Sequence, residues 1–151
     1  MVRAYIYLIS FKGTNDIYIG KTKYQDVCKR LKGHKSDFCS TVCSYVRNTL
    51  NDDWSNVFID VIDSVDLNED LTHLFNHPLN TIKFSNTDYI FKKYTYNYKT
   101  QAELSNHKLT YTEHFHIHNY NNDDRYNLIN KKITNGYDVY DMYKFYNYTK
   151  N

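Results

Sequence analysis

Apolar and polar positions change period several times along the first half of the chain. Ala4-Tyr5-Ile6-Tyr7-Leu8-Ile9-Ser10 is a run of β-branched and aromatic residues that predicts a buried strand. Phe11 to Asp16 carries turn chemistry, because Gly13 tolerates positive φ and Asn15 and Asp16 do so better than most residues. Ile17-Tyr18-Ile19-Gly20 predicts a second short strand, so the two runs read as a β-hairpin with a connection longer than two residues. Asp26 is placed to cap a helix reaching about Asp37, with Val27 and Leu31 on one face and Cys28 beside them. Lys29, Arg30, Lys32 and Lys35 make that helix basic. Val42, Tyr45, Val46 and Leu50 predict a second helix over 39–50, and Asn51-Asp52-Asp53 breaks it.

Residues 56–63 predict a third strand, although apolar and polar residues alternate only near its end. Residues 66–75 have a capping acid and i, i+4 apolar spacing, which predicts a short helix ended by Pro78. Residues 79–99 read either as short strands at 80–84 and 89–94 or as an irregular excursion. A longer helix is predicted from Thr100 to Tyr120, with Leu104, Tyr111, Phe115 and His118 along a stripe, followed by an Asn- and Asp-rich loop over 121–135. The pattern implies an α+β fold: a small, mostly antiparallel three-stranded sheet flanked by helices. One domain is expected over 1–135, with an insertion at about 64–99, and a Tyr-rich tail over 136–151 that packs on it or frays.

Composition narrows this little. At 151 residues the chain can bury one core without staples. With 24% charged residues and a mean hydropathy of −0.74, no stretch is apolar enough to span a membrane. Met1-Val2-Arg3 leads straight into the first strand with no secretory h-region, so an intracellular protein is expected. The cysteines, Cys28, Cys39 and Cys43, are odd in number and read as reduced thiols; no second pair or nearby His completes a zinc set. A net charge of +2, spread along the chain, is compatible with nucleic acid without requiring it. The abundance of Asn, Lys, Tyr, Ile and Asp, with one Pro and four Gly, fits an AT-rich genome, of which some viruses are an example.

The order of hairpin, basic helix, third strand and acid-bearing helix, with particular residues on it, resembles a known family. Tyr5-Ile6-Tyr7, then Tyr18-Ile19-Gly20, Lys21, Arg30 and His34, resemble the opening half of the GIY-YIG nuclease domain. Glu113, within Leu109–Ile117, and the later Tyr126-Asn127 resemble that family's helix with its single metal-binding glutamate and its following asparagine. The resemblance covers about residues 4–63 and 101–130. Tyr5 stands where the family commonly has Gly, and 64–99 is longer than its usual connection. The resemblance implies a DNA endonuclease using one Mg²⁺ or Mn²⁺ held by Glu113. Tyr7, Tyr18, Arg30 and His34 would complete the catalytic site, with Lys21, Lys29, Lys35 and Asn127 contacting DNA.

These roles agree with the chemistry. Phosphodiester hydrolysis needs an activated water, a cation on the phosphate and help for the leaving oxygen. Mg²⁺ keeps several waters and needs few protein ligands, so one carboxylate can hold it. Arg30 has a planar donor fork suited to a phosphate. A free tyrosine, with a pKa near 10, needs a neighbouring cation to act as a base; which of Tyr7, Tyr18 and His34 takes the proton stays open. Taken singly, each residue has an ordinary explanation as sheet packing or a solvated side chain. Glu69 and Glu103, the only other glutamates, lie near expected helix starts. His114 and His118 have an i, i+4 spacing but no HExxH glutamate between them, so a solvated or phosphate-facing helix edge is expected. Two rivals remain: a module of the same fold that binds nucleic acid without cleaving it, and a protein-interaction protein using its tyrosine surface.

Overall fold

Strand alternation fixes which residues face which layer. The computed structural model describes residues 2–76 and 100–131. In it, β1 (Arg3–Phe11) and β2 (Asp16–Thr22) form the expected antiparallel hairpin, pairing Tyr7 with Gly20 and Ile9 with Tyr18. The connection turns at Gly13, whose φ of +86° suits a residue without Cβ. β3 (Val57–Asp66) pairs antiparallel with the opposite edge of β1. Ile6 faces Asp63 whereas Tyr7 faces Val61, so Ile62 is the extra residue of a β-bulge. Val57 and Ile59 therefore belong to one face of the sheet and Val65 to the other. That change of phase is why the strand lacks a constant period.

Successive side chains point to opposite faces of a strand, and each face of this sheet acquires its own helices. Ala4, Ile6, Ile17, Ile19 and Val65 pack against Leu109 and Ile117 of α3 (Gln101–Asn121). On the other face Tyr7, Ile9, Phe11 and Val57 pack against Val42 and Val46 of α2 (Thr41–Thr49) and Leu31 of α1 (Val27–Ser36). The helix starts follow sequence. Asp26 caps α1 by accepting from the Cys28 amide at 2.9 Å. Thr100 caps α3, its hydroxyl accepting from the Glu103 amide at 3.2 Å and donating to the Glu103 carboxylate at 3.0 Å. The fold is thus α+β, with the third strand and three helices near their expected places.

Two expectations need correction. The sheet has four strands, not three, in the order β3-β1-β2-β4. The added strand β4 (Asn127–Leu128) runs parallel to β2 within what reads as a loop, so the sheet is mixed. It is held by the Asn127 amide on the Asn15 carbonyl and the Ile129 amide on the Ile17 carbonyl, both at 2.9 Å. Nor do residues 66–75 form an α-helix. β3 extends to Asp66, and a 3-10 turn follows at Thr72–Asn76. The acids close local turns instead of capping a helix: Asp66 accepts from the Asn68 amide at 2.9 Å and Asp70 from the Thr72 amide at 3.0 Å. Leu71 and Leu74 are still buried.

On α3 the expected Leu104 and Tyr111 are buried and Phe115 and His118 half-buried, while Ser105, His107, Leu109, His114 and Ile117 are buried as well. The helix is therefore covered on more than one side. Pro78, the segment 79–99, most of 131–135 and the tail 136–151 lie outside the described residues. Among those described, no helix is long and apolar enough to cross a membrane.

Candidate functional site

Tyr7 lies in the middle of β1 and is 1% exposed. Its ring crosses directly over its pairing partner: a Cβ added to Gly20 would lie 2.4 Å from both Cζ and Oη of Tyr7. Gly20 is therefore needed for space rather than for backbone freedom. Tyr18, half-buried on the same face, stands with its ring centroid 6.4 Å from that of Tyr7.

His34, in the last turn of α1, closes this corner. Its Nε2 lies 2.7 Å from the Tyr7 hydroxyl and its Nδ1 2.6 Å from Ser40 Oγ. Its ring meets that of Tyr18 edge-on, with centroids 5.3 Å apart. Burial first, and then the charge of Arg30, push the imidazole down to about 4, against a weaker upward pull from Asp37. The ring is consequently neutral at pH 7, with one donor and one acceptor nitrogen. Burial and the neighbouring Tyr18 raise Tyr7 above the ordinary phenol range, so its hydroxyl keeps its proton. A consistent arrangement has Tyr7 donating to Nε2 and Nδ1–H donating to Ser40. Ser40 occupies the N-cap of α2 without capping it, since its hydroxyl serves His34.

Arg30 precedes His34 by one helical turn. Its Nη1 would be 3.3 Å from a Cβ placed on Gly33, so the guanidinium lies back over that residue. Glu113 enters from the middle of α3. Burial raises its carboxyl above the usual carboxylate range, and the charges of Lys21 and Arg30 oppose that. Glu113 in turn raises Tyr18 and, more weakly, Tyr7, while Arg30 lowers both. Tyr7, Tyr18, Lys21, Arg30, His34 and Glu113, drawn from β1, β2, α1 and α3, therefore form one electrostatic cluster.

Of the candidates for DNA contact, Lys21 belongs to this cluster, while Lys29, Lys35 and Asn127 lie away from it. Lys21 donates to Thr110 Oγ1 at 2.7 Å, which ties β2 to α3 one turn before Glu113. Lys29 and Lys35 are exposed on α1. Asn127 donates to Asp16 Oδ1 at 2.8 Å, at the start of β2, where Tyr45 also binds Asp16, and so stands apart from the cluster. Asn130 is the asparagine beside it: its Oδ1 accepts from the Ile19 amide at 3.0 Å and its Nδ2 donates to the Ile19 carbonyl at 2.8 Å, between Tyr18 and Gly20. Sequence reasoning missed Asn130 and Ser40. Ser40 reads simply as a helix start, and choosing among asparagines requires knowing the register of β4.

The rival glutamates are engaged elsewhere, Glu69 with Lys108 at 2.6 Å and Glu103 at the start of α3. His114 is buried and pushed down to about 4 by burial and then by Lys21, not set on a solvated edge. His116 instead reaches Asp63 at 2.8 Å, linking α3 to the bulged end of β3. The three cysteines are free thiols, Cys28 and Cys39 exposed and Cys43 buried. Among the described residues no three His, Cys, Asp or Glu side chains converge. Nor does any described donor hydrogen-bond to Glu113. A cation there would thus have one protein carboxylate and water for its remaining positions, which suits Mg²⁺.

Two consequences are measurable without any substrate. Tyr7→Phe keeps the ring but leaves His34 Nε2 buried and unpaired, which should cost about 1–3 kcal/mol. A lower urea midpoint at unchanged slope is the expected result. Three histidines also have depressed values: His34 and His114 at about 4, and His107 at about 3, all led by burial. The unfolded chain takes up these protons first, near pH 6.5. Stability should therefore hold above about pH 7 and fall between roughly 6.5 and 4, by on the order of 3 kcal/mol for His34 alone. Glu113, being raised, contributes in the opposite sense, its contribution fading as pH rises, but it is one group against three. A urea midpoint that stays flat from about pH 7 to 5 would contradict this assignment.

No protein-family model matches the chain, and neither curated proteins nor solved structures yield a similar protein.

Proposed function

We propose that the chain is a divalent-metal-dependent endonuclease of the GIY-YIG type, hydrolysing DNA phosphodiester bonds inside the cell. The observation that supports this best is the convergence of a half-buried carboxylate, a guanidinium and a tyrosine pair with its histidine from four separate elements.

Glu113 would hold one Mg²⁺ or Mn²⁺: its half-buried carboxylate has no hydrogen-bond donor among the described residues, which leaves its oxygens open to a cation against the opposing charges of Lys21 and Arg30. An ion held there would supply charge neutralisation at the phosphate and stabilisation of the leaving oxygen. Arg30 offers its donor fork to the scissile phosphate from the same side. Tyr18 is the more accessible of the two phenols and is the group to orient the attacking water. Its own proton is held by burial and by the charge of Glu113, so positive charge at Glu113 would ease its release. Tyr7, His34 and Ser40 form the fixed chain behind it. The exposed Lys29 and Lys35 of α1 supply contacts to the DNA backbone, and Lys21 adds positive charge at the centre.

The test is cleavage of supercoiled plasmid with Mg²⁺ or Mn²⁺, comparing wild type, Glu113→Gln and an EDTA control. Nicked or linear product that vanishes in both controls is expected. Intact DNA binding with no cleavage of plasmid or branched DNA would refute the assignment and leave a binding module.

A further inference from the structure

A second feature lies on the same side of the sheet as His34. A cleft of roughly 620 Å³ opens between the end of α1 and the turn joining α2 to β3, lined by Lys35, Asp52, Trp54 and Ser55. That volume falls in the range of small-molecule sites. Leu31 belongs to the core cluster under α2, and Lys35 lies one turn further along α1, where that core face ends. Trp54 packs partly against the same cluster and presents the rest of its surface to the cleft.

The turn behind it is firmly held. Asn51 and Asp52 have φ of +54° and +63°, left-handed values that Asn and Asp tolerate better than other residues with a Cβ. The Asp52 amide bonds the Val46 carbonyl and the Asp53 amide the Leu50 carbonyl, both at 3.0 Å. Asp52 also accepts from the Trp54 indole at 3.3 Å, which orients the ring. The Lys35 ammonium makes no hydrogen bond or ion pair among the described residues, and the residue is exposed. An oriented indole beside an unpaired ammonium combines the two elements of single-strand recognition, a stacking surface and a phosphate contact.

Resting on the nuclease reading above, we propose that this cleft receives an unpaired nucleobase of the DNA substrate, stacked on Trp54, with the adjoining phosphate on Lys35. Asp52 and Ser55 provide polar partners for the base edge. Lys35 follows Arg30 by five positions, about 7.5 Å along the helix. An unpaired base is offered only by a bulged, branched or otherwise distorted duplex, which is therefore the preferred substrate.

Trp54 is the only tryptophan in the chain, so its fluorescence reports on the cleft directly. Wild-type protein in EDTA is titrated with a short duplex carrying a single-adenine bulge, with the same duplex fully paired, and with dAMP, while binding is followed separately by anisotropy of labelled DNA. Quenching by the bulged duplex, little by the paired one and little by dAMP is expected. Trp54→Ala should weaken binding of the bulged duplex by about tenfold or more and leave the paired duplex unchanged. Trp54→Phe, which keeps a stacking ring and most of the packing, should restore much of that affinity. Equal quenching by paired and bulged DNA, or binding without quenching, overturns the cleft assignment while the nuclease reading stands. Quenching by dAMP at comparable concentration reassigns the cleft to a free nucleotide and also overturns it. Absence of any DNA binding removes both.

Discussion

Glu113→Gln is expected to lower plasmid cleavage by at least about 10²–10³-fold, the scale of losing a principal electrostatic group at a reacting phosphate. The substitution preserves shape and removes charge. Burial works against that charge, and among the described residues Lys21 and Arg30 offset it. The neutral variant should therefore be at least as stable as wild type at pH 7, so lost activity cannot be ascribed to unfolding. The same argument gives a second readout. A divalent cation relieves the buried charge, so Mn²⁺ should raise the thermal midpoint of wild type and leave Glu113→Gln unmoved. Retained cleavage in the variant would remove Glu113 from the site. Glu69, paired with Lys108, and Glu103, engaged at its helix start, would then be the remaining glutamates to examine.

Gly20→Ala should do more damage than one methyl group ordinarily does. The new Cβ would sit 2.4 Å from Cζ and Oη of Tyr7, a separation real Cβ atoms essentially never show. Tyr7 has nowhere simple to go, since it is 1% exposed and its hydroxyl lies 2.7 Å from His34. Overpacking of this kind costs about 1–3 kcal/mol. Any relief must swing the phenol away from His34, so cleavage should fall beyond what the lost stability explains. Tyr7→Leu in the same chain frees the space, and the pair should be strongly non-additive in a double-mutant cycle read by urea denaturation. A midpoint unchanged by Gly20→Ala would show that the ring has room to shift.

How much of this was legible in the sequence varies with how local the cause is. The hairpin, the Asp26 cap and the three helices follow from patterns within a few residues, and so does the spacing of Arg30 and His34 one turn apart. The phase of β3 was not legible, because the bulge at Ile62 is defined only against β1. The helix expected over 66–75 failed because Asp66 and Asp70 can close turns as readily as cap a helix, and periodicity cannot choose between them. β4 is two residues long and exists only through β2, so nothing in its own sequence marks it. The choice of Asn127 inherits that gap. With β4 in register, Asn127 turns to Asp16 while Asn130 turns to Ile19, three residues on. The steric demand at Gly20 was equally hidden, since it depends on a cross-strand neighbour's ring and not on the glycine itself.

The clasp between Asn130 and Ile19 bears on how short this chain could be cut. One side-chain amide satisfies both the donor and the acceptor of Ile19, as a further residue of a paired strand would. A truncation after the end of α3 would keep every candidate catalytic residue yet strip the outer margin of β2 of both β4 and this substitute. The backbone flanked by Tyr18 and Gly20 would then lie open to pairing with another copy. Such a fragment should self-associate, and the smallest well-behaved unit must reach at least to residue 130.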